Sequence, residues 1–354
     1  MKKTLLAILA TVAMVACSND EIVREAAPEA IGFDNAFVEN STRSVVTPGY
    51  STTNLFNDFA VYGFVEDAVL FNGTKVAKDG SVSNGVLKQE WKYKDTQYWI
   101  AGANYDFYAV APYSGNWTIK DATTPASNGA KISFTNVYGT QDLLYSGIVE
   151  RNGATNDYAA VAFTFKHILS RVKFSFKNGY NASAATICVR DIKITNAYAT
   201  GVATLGANAA TWGDQAGVIA AGVAFGNATT DEDYATDTDE DNLVNYDYAY
   251  NTTIESYYER LLIPSVSREY NISFVVDLLV SDKKIATYRH TAKATIALEP
   301  GMSYDIMAEI TAKNIDPNHA QEPIEFTATM TDWTDATGET GATVDTIQQG
   351  NQNN

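Results

Sequence analysis

Apolar and polar residues alternate along this chain in short runs, and no helical spacing is sustained once the first twenty residues are passed. A period of two is the signature of a strand with one buried face. It predicts strands in the first half over residues 30–38, 59–64, 105–111, 132–134, 143–145 and 159–165. In the second half it predicts them over 186–195, 201–205, 260–263, 270–280, 284–288, 292–298, 304–312 and 324–330. Trp91 with Tyr93, then Tyr98 with Trp99, frame one further pair. Pro112, which cannot donate to a ladder, closes the run before it. Residues 281–283 read as the turn of a β-hairpin, and residues 206–256 are too poor in aliphatic side chains to suggest a run. Turn signals separate the runs at the spacing of an all-β sandwich.

The sharpest local pattern covers residues 163–176. Phe163 and Phe165 alternate at one end, and Val172, Phe174 and Phe176 alternate against Arg171, Lys173 and Ser175 at the other. Ile168 and Leu169 interrupt the pattern, which predicts a bulge or bend between them. Residues 177–181 follow as a turn or linker and set an expected domain boundary near residue 180. The expected organisation is an N-terminal β-sandwich over residues 30–180 and a C-terminal one over 181–354, ending in a polar tail beyond Trp333.

The start of the chain has a different character. Lys2 and Lys3 precede an apolar segment over residues 5–16, too short to span a bilayer, and Cys17 follows it. A charged start, a short apolar stretch and small residues before a cleavage point make an export signal. Met14-Val15-Ala16-Cys17 resembles a bacterial lipobox, so residues 1–16 are expected to be removed and Cys17 to carry lipid. Residues 17–29 then form a polar tether, and residues 30–38 the first strand. The stretch 39–54 is rich in Ser, Thr, Asn and Gly and reads as an exposed loop. Arg43 and Ser44 lie in it, where a protease could reach; Arg43 also reads as an ordinary loop arginine.

Composition narrows the function. The chain has 354 residues, enough for two ordinary domains, and 45% of them are hydrophobic, which is globular rather than disordered. A net charge of −17 repels phosphate backbones and argues against nucleic-acid partners. Of the 2 cysteines, Cys17 is assigned to lipid, and Cys188 falls within a strand run as a small core residue. His167, His290 and His319 are far apart and have no neighbouring ligand at zinc spacing. No nucleophile elbow or phosphate loop occurs, so no enzyme and no cofactor is expected. Asp237, Asp239 and Asp241 have the alternate spacing of a calcium loop, but Asn242 and Tyr248 stand where an EF-hand needs Gly and Glu. The acidic stretch 231–247 therefore reads as a solvated loop that leaves loose calcium binding open. Trp91, Trp99, Trp117 and Trp212 are candidates for a sugar-stacking platform and equally for core packing.

The order of these features resembles that of the fimbrillins, the type V pilins of Bacteroidales and their Mfa-like relatives. The likeness rests on the lipobox, the Ile31/Phe33 strand, Thr42-Arg43, and the pair Tyr98-Trp99 and Tyr105-Asp106-Phe107-Tyr108-Ala109. It also rests on Phe165-Lys166-His167-Ile168-Leu169-Ser170 and Thr331-Asp332-Trp333. The resemblance implies two transthyretin-like β-sandwich domains in tandem and a lipoprotein precursor at the cell outer membrane. It further implies cleavage after Arg43 by an arginine-specific protease, loss of residues 30–38, and entry of a strand from another fimbrial subunit. Carried over by position, residues 341–350 would be the donor strand, with Val344 and Ile347 as its anchors. A surface-anchored glycan-binding lipoprotein is the alternative expectation.

Overall fold

The structure is a computed structural model that describes residues 29–38, 57–83, 86–120, 122–152, 158–179, 186–228, 253–256, 258–280, 283–315, 322–333 and 342–343. In the first half the described strands are β1 (Phe33–Val38), β2 (Asp58–Val65), β3 (Ala68–Ser83), β4 (Val86–Tyr93), β5 (Tyr105–Ala111), β6 (Trp117–Lys120), β7 (Lys131–Thr135), β8 (Leu144–Arg151) and β9 (Val161–His167). The chain continues through β10 (Ser170–Asn178), β11 (Thr186–Ile194), β12 (Tyr198–Leu205), β13 (Ala210–Val218), β14 (Val223–Gly226) and β15 (Thr253–Glu255). It ends with β16 (Arg260–Leu262), β17 (Ser265–Val280), β18 (Lys283–Leu298), β19 (Met302–Ile310), a single helical turn α1 (Ala312–Ile315), β20 (Phe326–Asp332) and β21 (Ala342–Thr343). The all-β expectation is met.

Seven strands close into a ring in the order β1-β4-β3-β2-β5-β8-β9. Its interior is strongly aromatic, with Phe33, Phe59, Phe71, Phe107, Phe163 and Phe165 all buried. Two further sheets face each other in the second half: β14-β11-β17-β18, and β15-β10-β19-β20-β21 with β16 also paired to β10. Between them lie Phe174, Phe176, Val189, Ile272, Phe274, Tyr304 and Phe326. A fourth sheet, β13-β12-β7-β6, covers the outside of the ring. Under it Tyr62, Phe64 and Tyr108 of the ring meet Ile132, Phe134, Ala203 and Leu205. This explains why every residue from Phe59 to Phe64 is buried. Phe59 and Val61 point into the ring, while Ala60, Tyr62 and Phe64 point into the middle cluster.

The interrupted pattern at residues 163–176 has a direct explanation. Phe163 and Phe165 fill the ring, while Val172, Phe174 and Phe176 fill the second sandwich. Ile168 and Leu169 both bury in the middle cluster as the chain passes from β9 to β10. The alternation breaks because the chain changes sheets. The boundary expected near residue 180 falls after β10, whose partners β15, β16 and β19 are all later in the chain. The fourth sheet joins the halves again, since β12 pairs with β7 at Ala203↔Ile132. Residues 206–256, which suggested no run, supply β13, β14 and β15. β13 pairs with the adjacent β12, whereas β14 and β15 pair with the earlier strands β11 and β10. Tyr98 lies outside the strands, in an isolated bridge to Ala30.

Candidate functional site

The strand β1 is the element that joins β4 to β9 and completes the ring. It runs parallel to β9, with Phe33 opposite Val161, and meets β4 at Phe33↔Trp91. The residues leading into it are tied by main-chain bonds. Trp99 N donates to Glu29 O at 2.9 Å, Ile31 N to Gln97 O at 2.9 Å, and Val161 N to Gly32 O at 2.8 Å. The Tyr93 hydroxyl donates to Ile31 O at 2.7 Å, and burial pushes that phenol's pKa upward.

The inward side chains are Ile31, 1% exposed, and Phe33, 6% exposed. Phe33 is ringed by aromatic groups. It stacks on Phe163 at 5.9 Å and meets Tyr93 at 5.3 Å and Phe71 at 5.5 Å edge-on, with Phe59 and Phe107 each 6.4 Å away. Such pairs add about 0.5–1.5 kcal/mol each beyond area burial. At Gly32 between them, a Cβ would make an ordinary contact with the Ala160 methyl at 3.6 Å. Sequence reading singled out Ile31 and Phe33 but not the bed beneath them. The alternation of Phe163 with Phe165, and of Phe59 with Val61, was the available sign of that bed.

At the other end of the chain, β21 lies antiparallel on β20, with Ala342 opposite Met330 and Thr343 opposite Thr329. Cys17, Arg43, Ser44, Val344 and Ile347 lie outside the described residues, as do His319 and the acidic stretch 231–247.

His167 is the last residue of β9, just before the bend at Ile168 and Leu169. Its Nδ1 is 2.6 Å from Asp142 Oδ2, and Asp142 Oδ1 accepts from Leu143 N at 2.7 Å. His290 is in the second sandwich, stacked on Phe274 at 5.3 Å. Among the described residues no three His, Cys, Asp or Glu side chains are grouped so as to hold a metal. Cys188 is fully buried. Of the tryptophans, Trp99 is buried, while Trp91, Trp117 and Trp212 are half-buried. Trp117 Nε1 donates to Pro112 O and Trp212 Nε1 to Ile168 O, as packed indoles do.

The fold has counterparts among solved structures. A fimbrial protein from Bacteroides vulgatus superposes with a TM-score of 0.55 at 16% identity, over 86% of this chain and 99% of that one. A candidate cell adhesion protein from Bacteroides uniformis gives 0.46 at 14% identity, over 86% and 98%. No curated protein matches the chain. The sequence profile described as fimbrillin-like matches residues 42–333. With most of its length matched, this chain belongs to the fimbrillin-like family.

Proposed function

We propose that this protein is a structural subunit of a cell-surface fimbria that supports adhesion. In this reading it leaves the cell as a lipoprotein precursor held to the outer membrane through Cys17. An arginine-specific protease cuts after Arg43 and frees the segment carrying β1, and a strand from another subunit takes its place. The observation that carries the reading is the bed of β1: a preformed aromatic slot with main-chain partners along both flanks. Loss of β1 would leave the edges of β9 and β4 unpaired and the slot open to water, and an incoming strand repairs both. Membership of the fimbrillin-like family supports assembly with other subunits. The glycan-binding alternative has less to rest on, since its four candidate tryptophans are buried or half-buried.

The test is limited digestion of the non-lipidated precursor with an arginine-specific protease, followed by N-terminal sequencing and sizing. A single new N-terminus at Ser44 with oligomers appearing, both lost in Arg43→Ala, is the expected result. An uncut precursor, or a cut product that stays monomeric when offered partner subunits, removes the strand-exchange reading.

A further inference from the structure

We infer that the slot under β1 selects for a bulky aliphatic residue followed two positions later by an aromatic one, and that its lasting occupant is a strand of a partner subunit carrying that pair. It is not residues 334–354 of a second copy of this chain. The inference rests on the strand-exchange reading and adds to it the chemistry of the incoming strand.

The argument starts from the present occupant. Ile31 and Phe33 are two positions apart, so in an extended chain both face the interior, and both are almost wholly buried. The position of Phe33 is walled by Phe59, Phe71, Tyr93, Phe107 and Phe163, a cage shaped for a flat ring. A side chain of valine size there leaves a void between rings that are themselves fixed by packing, and such voids are costly in proportion to their volume. Between the two anchors, Gly32 O accepts from Val161 N, and a Cβ at Gly32 would stand 3.6 Å from the Ala160 methyl, an ordinary contact, so the middle position sets no size limit of its own.

Residues 334–354 lack this pattern. They contain no aromatic side chain. Val344 has Ala342 and Thr346 two positions away, and Ile347 has Asp345 and Gln349. Every register of this stretch leaves either the aliphatic or the aromatic position with a small or polar residue, and the registers that place Glu339 or Asp345 at the aromatic position bury a carboxylate against a cage of rings. The segment that cutting after Arg43 would expose, residues 44–56, also has no two large apolar residues two apart.

The test uses the full precursor cut after Arg43, with fluorescent peptides competing for the place of β1. Three probes are needed: residues 29–38 as they stand, residues 338–354 as they stand, and residues 338–354 carrying Val344→Ile, Asp345→Gly and Thr346→Phe. The first and third should enter the slot, and the unaltered tail should need roughly a hundredfold higher concentration, the scale of losing a buried aromatic side chain. If the unaltered tail enters within about threefold of residues 29–38, the selection is absent and this inference falls while strand exchange stands. If no probe enters, residues 29–38 included, strand exchange at this slot falls and takes the inference with it.

Discussion

The imidazole of His167 lies flat against the indole of Trp333, with ring centroids 3.7 Å apart and planes 8° from parallel. Arg171 places its guanidinium 5.1 Å from the same indole. The contact ties Trp333, just after β20, to the end of β9, where the chain leaves the ring. Gly301 completes the junction. Its N donates to Leu169 O, its O accepts from Trp333 N, and its left-handed φ of 72° together with the nearby His167 carbonyl favours glycine there. Trp333 also packs in the middle cluster. Trp333→Ala should therefore cost about 3–4 kcal/mol of stability, and Trp333→Phe clearly less. Urea unfolding followed by far-UV circular dichroism measures both, and equal losses in the two variants would mean that ring stacking contributes nothing.

Phe33→Ala should loosen β1 while leaving the other strands of the ring in place. Truncation inside the aromatic cage removes about 3 kcal/mol from docking of that strand. Amide exchange over residues 29–38 should accelerate a hundredfold or so, with little change in β17 and β18. Uniform acceleration across the chain would show instead that β1 unfolds only with the whole molecule.

Gly63 lies behind the same cage for a different reason. Its φ is unremarkable, but a Cβ there would come within 2.7 Å of Phe71 and 2.9 Å of Phe107. Both rings would have to move, and both touch Phe33. Gly63→Ala should cost about 1–3 kcal/mol by overpacking, despite the gain in strand propensity. A variant as stable as the parent in thermal unfolding would show that the two rings have room to shift.

What the sequence revealed follows from what alternation can report. It locates residues with a buried face, so β2, β5, β9, β10 and the hairpin of β17 with β18 were legible, the last with Val280 opposite Lys283 across the turn. It does not name the partner. The parallel pairing of β10 with β19 joins Val172 to Tyr304, and the antiparallel pairing of β7 with β12 joins Ile132 to Ala203. Those registers are set by distant strands rather than by neighbours in the chain. The cage around Phe33 was hidden for the same reason, because Phe71, Phe107 and Phe163 come from three different strands. Asp142 was invisible as the partner of His167, because nothing local distinguishes it from any other loop aspartate.

Buried charge in the second sandwich gives a further prediction. Asp277 on β17 is 0% exposed and accepts from Arg190 Nε at 2.8 Å and from Thr287 Oγ1 at 2.6 Å. Arg190 also reaches the exposed Asp191 at 2.8 Å. Removing the carboxylate leaves a buried guanidinium with part of its compensation gone, so Asp277→Ala should cost about 3 kcal/mol. Thr287→Val removes a single donor and should cost about 1 kcal/mol. Chemical denaturation of the two variants settles the order, and a larger loss for the threonine change would refute it.

His290 makes acid stability measurable at a single residue. Burial lowers its pKa from the ordinary 6.5 to about 4. Its Nε2 is buried with no hydrogen-bond partner among the described residues, and its ring is stacked on Phe274 with Tyr288 6.4 Å away. Between pH 6.5 and 4 the unfolded chain binds a proton at this imidazole that the folded protein does not. The contribution of neutral His290 is therefore complete above pH 6.5, falls as the pH drops toward 4, and levels off below that. Allowing for the partly solvated ring, the loss is about 2 kcal/mol. His290→Phe keeps the stack and removes the titration, so it should match or slightly exceed the parent at pH 7. Its advantage should then widen by about 2 kcal/mol at pH 4.5. Carboxylates that titrate in the same window affect both proteins alike and cancel in the comparison. Urea unfolding at the two pH values is the measurement, and parallel losses of stability in parent and variant would show that His290 takes up its proton as freely when folded as when unfolded.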